Sequence, residues 1–322
     1  MSRKRKIIIS VVLVMTATVT GFAAWMLDGV KAPEVAKEIV VNAERKGSVV
    51  YDGEEITAQN LGRREGVFTV LVAGVDEVSG STDTIMLATF DTVGKKMNVL
   101  SIPRDTITRV SRSNKKINAA YITHGKDISA LYDEVESVTG IRPDKYALVK
   151  VEGFIKLIDA LGGVTVDVPV DMHYSDPEQN LTIDIDKGRQ TLDGYDSMGF
   201  MRYRKNYALG DIGRIQVQHI FIKAFADKLL RPETIAKIPA IAEIILENVE
   251  TDLTFGNEIW LGKQLISMDF ASGVRTDTLP GYAEYYKGLS YYFVNEAEAL
   301  ELINEYYSPF EKRIESLNLF KK

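Results

Sequence analysis

The sequence predicts a three-layer α/β/α domain with a central mixed sheet, preceded by one N-terminal transmembrane helix. Three observations carry this. Short apolar runs divided by Gly and Asp fill residues 68–102. Helical and strand patterns then alternate from 117 to 168, which implies a sheet covered by helices on both faces. Ahead of both, residues 7–27 form an uncharged run of the length that spans a bilayer.

The run 7–27 follows Arg3, Lys4, Arg5 and Lys6. A positive flank stays in the cytoplasm, so the expected topology is a single-pass protein of the cell membrane with its C-terminal domain extracellular. The run is longer than the ~7–15-residue core of a secretory signal and no clear Ala-x-Ala site follows, which favours an uncleaved anchor. Residues 1–6 are then a cytoplasmic tail and 28–66, polar and broken by Pro33, Gly47, Gly53 and Gly62, an extracellular stalk. The folded domain is placed at 67–308 and a C-terminal tail at 309–322.

Within the domain, 68–75 (FTVLVAGV), 84–90 (TIMLATF) and 97–102 (MNVLSI) read as strands, and their near-continuous apolarity suggests burial on both faces. Helices are expected at 117–123 and 128–138. A strand at 146–151 and a helix from 153 to 161 follow, the helix stopped by Gly162 and Gly163. Strands at 164–168 and 182–185 precede a helix running to about 230. Beyond Pro232 the pattern gives helices near 235–247 and 255–268, a tyrosine-rich strand region at 276–294 and a last helix from 296.

Composition narrows the chemistry. The chain has 322 residues, 45% of them apolar, enough for a substantial core, and a net charge of −6 that argues against a general nucleic-acid binder. It has no cysteine, which excludes disulfides, thiolate catalysis and Cys-based zinc sites. Neither a G-x-S-x-G elbow nor a P-loop is present. His124, His173 and His219 show no metal-ligand spacing, and His219 falls on an apolar helical stripe.

One stretch is locally basic despite the overall charge. Residues 202–218 (RYRKNYALGDIGRIQVQ) hold Arg202, Arg204, Lys205 and Arg214 beside Asp211. Arg202 and Arg204 leave the same side if the chain there is extended, whereas Asp211, Arg214 and Gln218 share one helix face. Converging guanidiniums suit a multiply charged phosphate ligand, and a solvated charged face is the competing reading. Asp76 directly follows the first strand and Asp83 directly precedes the second. If the strands are neighbours, both carboxylates sit at one sheet edge, where a hard cation such as magnesium suits them; turn chemistry is the alternative. Arg104 and Asp105 close the third strand after Pro103, either as part of a phosphate clamp or as a structural ion pair. Lys116, Asn118 and Tyr121 are weaker candidates at a helix start.

In that order, GVD, STDT, SIPRDT, KINAAY, YALVKVEGFIKLIDALGGVTVDVP, RYR and DIGRIQVQ behind a single N-terminal span closely resemble the LytR-CpsA-Psr family of cell-wall enzymes. The resemblance covers about 68–230, and the later LPGYAEYYKGLSYY is similar too. It implies transfer of a glycopolymer, a teichoic acid or capsular polysaccharide, from a polyprenyl-pyrophosphate carrier to peptidoglycan outside the membrane of a Gram-positive bacterium. It also implies Mg2+ held by Asp76 and Asp83, and a pyrophosphate clamp of Arg104, Arg202, Arg204 and Arg214 with Gln218, over an apolar cavity for the polyprenyl tail. Ser81-Thr82-Asp83-Thr84 departs from the family's usual Arg-Ser-Asp-Thr, the loop after Asp76 is shorter, and Asp196-Ser197-Met198 replaces the usual Ala-Leu before the arginines. Asp105 and Asp211 both remain candidates for the base that accepts the acceptor's proton. Two rival functions stay open: a polyprenyl-pyrophosphate hydrolase using the same clamp, and a non-catalytic polyprenyl-binding or transcriptional regulatory protein.

Overall fold

The computed structural model describes residues 30–35, 40–41, 59–76, 80–176, 181–203, 211–229, 231–235, 237–267 and 274–322. The expected cytoplasmic tail at 1–6 and anchor at 7–27 lie outside the described residues. Among those described, no helix is long and apolar enough to cross a membrane.

The chain divides into two compact units. In the smaller, described residues 30–34 accompany the helix Phe255–Ser267. Thr254 and Asn257 cap that helix reciprocally, each side chain accepting from the other's backbone N–H at 3.2 and 3.0 Å. The Asn257 amide also donates to the Lys31 carbonyl at 2.9 Å.

The larger unit holds 35–252 and 268–322. Two-residue strands β1 (Val40–Val41) and β2 (Gln59–Asn60) pair antiparallel at its start. Strands β3 (Val67–Val75), β4 (Thr82–Asp91) and β5 (Lys96–Ser101) then form an antiparallel meander, and β6 (Lys145–Lys150) joins β3 in parallel. Antiparallel pairs follow from β7 (Val164–Val168) with β10 (Gly188–Leu192), and from β8 (Met172–Asp176) with β9 (Leu181–Ile185). Strand β11 (Val249–Thr251) edges β6 antiparallel and β12 (Val274–Thr278) edges β5 in parallel, so the central sheet runs β11-β6-β3-β4-β5-β12 and is mixed. The tyrosine-rich region continues as a hairpin of β13 (Gly281–Tyr286) and β14 (Leu289–Val294).

Period-two alternation sends the sheet's side chains to two different environments. Leu71, Ala73, Ile85, Leu87 and Leu100 enter a core with Leu131, Val135 and Val138 of the helix Ile128–Thr139. Tyr307, Phe310, Ile314 and Leu317 complete that core, so residues 309–322, set apart as a tail by their sequence, pack inside the unit. The intervening Val72, Met86, Ala88 and Val99 face the opposite way and line a cavity. Its far wall is built by the helices Val151–Leu161, Gly194–Arg202 and Asp211–Leu229. Helices thus flank both faces of the sheet, the three-layer arrangement expected.

The helix Val151–Leu161 ends where the sequence places its stop, with Gly162 at φ 79°. That left-handed conformation carries almost no strain in glycine. Several elements differ from expectation, among them β10 and β11, which pair with β7 and β6 and were not expected from the sequence. The chain before Arg202 is helical, from Gly194 to Arg202, with Asp193 capping its start by accepting from Asp196 N–H. Arg202 is the last residue of that helix and Tyr203 is extended, so the extended conformation expected of Arg202 does not occur; Arg204 lies outside the described residues. Strand β8 was not expected, because its alternation of Met172 and Tyr174 with polar residues spans too few positions to stand out.

Candidate active site

Strands β3 and β4 are neighbours, and their register determines where the two carboxylates go. Gly74 pairs with Thr84 and Val75 with Thr82, leaving Asp83 as an extra residue on β4. Asp83 therefore lies inside a strand, not before it. A bulge of this kind re-aims a side chain, and Asp83 and Thr84 both line the cavity. Asp76, just past β3, lines it too. Its loop is closed by Gly80 N–H to Asp76 O at 2.7 Å and Asp76 N–H to Ser81 O at 3.1 Å. Gly80 sits at φ +66°, a left-handed conformation that other residues adopt only under strain, so the turn favours glycine here.

Each carboxylate meets an arginine. Arg104 Nη1 lies 2.6 Å from Asp83 Oδ1, and Arg202 Nη2 lies 3.7 Å from Asp76 Oδ2. Both pairs are partly exposed, and such pairs contribute only about 0–1 kcal/mol, so the guanidiniums are oriented without being lost to an anionic ligand. Arg104 and Asp105 occupy the centre of a turn closed by Thr106 N–H to Pro103 O at 2.9 Å. That turn is clasped on both sides. Asn118 N–H donates to Arg104 O at 3.2 Å, and Tyr292 N–H on β14 donates to Asp105 O at 2.9 Å.

Asp105 Oδ1 is 2.9 Å from Lys116 Nζ and 3.9 Å from Arg104 Nε. Lys116 thus joins the cluster as a partner of Asp105, while Asn118 contributes backbone: its N–H holds Arg104 and its carbonyl accepts from Thr82 Oγ1 at 3.3 Å. Gln218 is buried and its amide donates to Met201 O at 3.3 Å, at the end of the helix that carries Arg202. Asp211 and Arg214 stand in the first turns of the helix Asp211–Leu229, with their side chains outside the described residues, as is all of Arg204.

The cavity measures about 360 Å3 and its walls are almost wholly apolar, with Phe154, Leu157, Phe221 and Phe225 facing the sheet. Asp76, Asp83, Lys150 and Arg202 are its charged lining residues. An apolar chamber with both signs of charge gathered at the sheet's strand ends suits a ligand with a long hydrocarbon part and an anionic head.

A family model, the LytR_cpsA_psr family, matches residues 32–307. The chain belongs to the LytR_cpsA_psr family. Among curated relatives, the polyisoprenyl-teichoic acid–peptidoglycan teichoic acid transferase TagV of Bacillus subtilis (strain 168) is 34% identical over 250 residues. That match spans 74% of this chain but 63% of TagV, under two thirds of the relative's length. The crystal structure of B. subtilis TagV has a TM-score of 0.63 at 30% identity, covering 74% of this chain and 95% of that one. TagT bound to LI-WTA has a TM-score of 0.61 at 25% identity, covering 75% and 89%.

Two features of this LytR_cpsA_psr site carry no local signature. Lys150 reaches the cavity because β6 lies parallel to β3 with Val75 opposite it. The bulge at Asp83 is a property of the pairing and not of either strand. His219, which sequence places on an apolar stripe, is partly buried with Nε2 3.0 Å from Ser101 Oγ. Burial holds its imidazole below the usual value of 6.5, Asp277 opposing this and Lys223 adding to it. Tyr121 is held above the usual phenol value, by burial first and by Glu250 second, so it is no base near neutrality.

Proposed function

We propose that the protein transfers a polyprenyl-pyrophosphate-linked glycopolymer, a teichoic acid or capsular polysaccharide, to peptidoglycan by phosphotransfer on the outer side of the membrane. The observation that carries this reading is the cavity itself, a chamber of about 360 Å3 walled by hydrocarbon and bordered by Asp76, Asp83, Lys150 and Arg202. A polyprenyl chain fills the first part and a pyrophosphate meets the second. TagV's description as a teichoic acid transferase, and TagT's complex with LI-WTA, support the same substrate class. The topology rests on the basic flank and the run 7–27.

The residues fit a magnesium ion. Asp76 and Asp83 both open on the cavity and offer hard oxygen donors. Two carboxylates leave the remaining positions to water and substrate phosphate, the usual way Mg2+ is bound. When bound, the ion would offset charge on the pyrophosphate oxygens.

Arg104 and Arg202 orient the pyrophosphate by exchanging their carboxylate partners for phosphate oxygens, with Arg204 and Arg214 completing the clamp. An acceptor hydroxyl of peptidoglycan attacks the phosphorus that bears the sugar. The bond from that phosphorus to the bridging oxygen breaks, and polyprenyl phosphate leaves as its new charge is met by the guanidiniums. Asp105 or Asp211 takes the hydroxyl's proton. Asp105 is the group whose surroundings are described, with Lys116 at 2.9 Å.

The test is turnover of a polyprenyl-pyrophosphate-linked oligosaccharide with and without peptidoglycan. Coupled polymer formed only when peptidoglycan is present supports the transferase. Equal release of free polymer in both arms marks a hydrolase, and no turnover in either marks a binding protein.

A further inference from the structure

Away from the cavity, Asp171, His173 and Asp186 each offer one ligand atom, and all three atoms lie within 4.8 Å of one another. The ribbon of β8 and β9 brings them together. His173 stands opposite Asp184, and Asp171 and Asp186 flank the pair Met172–Ile185. The alternate residues fix this register: Met172, Ile183 and Ile185 are 0%, 3% and 2% exposed, and a slip by one residue would bury the charged set instead. The cluster is therefore held in place by the core beneath it.

The imidazole is also oriented. His173 Nδ1 is 2.7 Å from Asp184 Oδ1, and a carboxylate at that distance fixes the proton on Nδ1. Nε2 is then left with its lone pair, 3.9 Å from Asp186 Oδ1. A carboxylate behind one ring nitrogen, with the other nitrogen facing the ion, is how metal-ligating histidines are held. Asp171 is fixed in its turn, Oδ1 accepting from Lys187 N–H at 2.7 Å.

We propose that Asp171, His173 and Asp186 form a binding site for a divalent transition-metal ion of the zinc class, with Asp184 orienting His173. An imidazole ligand selects for such ions over magnesium and calcium, and three protein ligands leave water in a fourth position. Tyr203, the residue after Arg202, donates its hydroxyl to Asp171 O at 3.5 Å and so ties this ribbon to the end of the helix that carries Arg202. The site is separate from Asp76 and Asp83 and does not depend on the transfer reaction.

Calorimetric titration of the full chain with zinc chloride, and separately with magnesium chloride, tests the site. The expected result is stoichiometric zinc binding that excess magnesium leaves intact, lost in His173→Ala and in Asp186→Asn and weakened about 10–100-fold in Asp184→Asn. Zinc should also raise the melting temperature of the wild type and not that of His173→Ala. All these side chains are exposed, so the variants keep the fold. No zinc binding by the wild type, or equal binding by His173→Ala, overturns the proposal; unchanged affinity in Asp184→Asn overturns the orienting role.

Discussion

Gln218 holds Met201: its buried amide donates to the Met201 carbonyl at 3.3 Å, one residue before Arg202. The glutamine that shares a helix face with Arg214 in the sequence thus steadies the end of the helix bearing another arginine of the proposed clamp. Gln218→Leu removes the donor, and the loss of one such bond is worth about 1 kcal/mol. The expected outcome is a melting temperature lower by about 2–4 °C together with weaker pyrophosphate binding. Unchanged melting with lost binding would instead make Gln218 a direct phosphate contact.

Arg104 and Arg202 should differ in how they tolerate lysine. Arg104 reaches Asp83 with Nη1 at 2.6 Å, while its buried Nε, 3.9 Å from Asp105 Oδ1, makes no hydrogen bond and leaves a second, fixed donor for a phosphate oxygen that an ammonium does not supply. Arg202 sets Nη2 3.7 Å from Asp76 Oδ2, beyond hydrogen-bond reach, and Nη1 4.0 Å from Met198 Sδ. Either alanine variant should cost roughly 1.5–3 kcal/mol, about 10- to 150-fold in turnover. Arg104→Lys should resemble Arg104→Ala, while Arg202→Lys keeps most activity. Wild-type turnover in both alanine variants, with normal melts, would remove the clamp.

Asp76→Asn and Asp83→Asn should each reduce transfer severely and leave the fold intact, since both side chains are partly exposed. Residual activity should need more magnesium for half-maximal rate than the wild type does. An identical magnesium dependence in all three proteins would show that neither residue is a ligand.

Ala88 lines the cavity from the middle of β4. Ala88→Phe places a ring in the space assigned to the polyprenyl chain. Long-chain donors should then show a higher KM, while very short-chain donors turn over as before. Equal effects on both chain lengths would place the hydrocarbon elsewhere.

His219 sets a pH dependence of stability. Its imidazole titrates lower in the folded state than the ordinary 6.5, because it is buried beside Ser101. Below about pH 6.5 the unfolded chain binds the extra proton first, so the contribution is full above that pH and is lost as pH falls through the folded value. His219→Gln should therefore flatten the fall in stability from about pH 7 to about pH 5, measured by urea unfolding. A parallel curve for variant and wild type would assign the acid sensitivity to other groups.

The meander β3–β5, the helix ending at Gly162 and the last helix from Glu296 were all legible in the sequence. Each is written in a window of neighbours, through apolar period, a capping glycine or a proline stop. The ordered motifs around Asp76, Asp83, Arg104 and Arg202 likewise named the residues of the candidate site. Tertiary structure alone decided what those residues face. Val72, Met86 and Val99 line a cavity while Leu71, Leu87 and Leu100 fill a core, and both sets are equally apolar in sequence. Only the helix packed opposite separates one from the other. Asp83 points at the cavity through a register shift against Gly74, and His173 meets Asp171 and Asp186 through the pairing of β8 with β9. Register is a relation between two strands, fixed by which side chains the pair buries together, and no single stretch of sequence contains it.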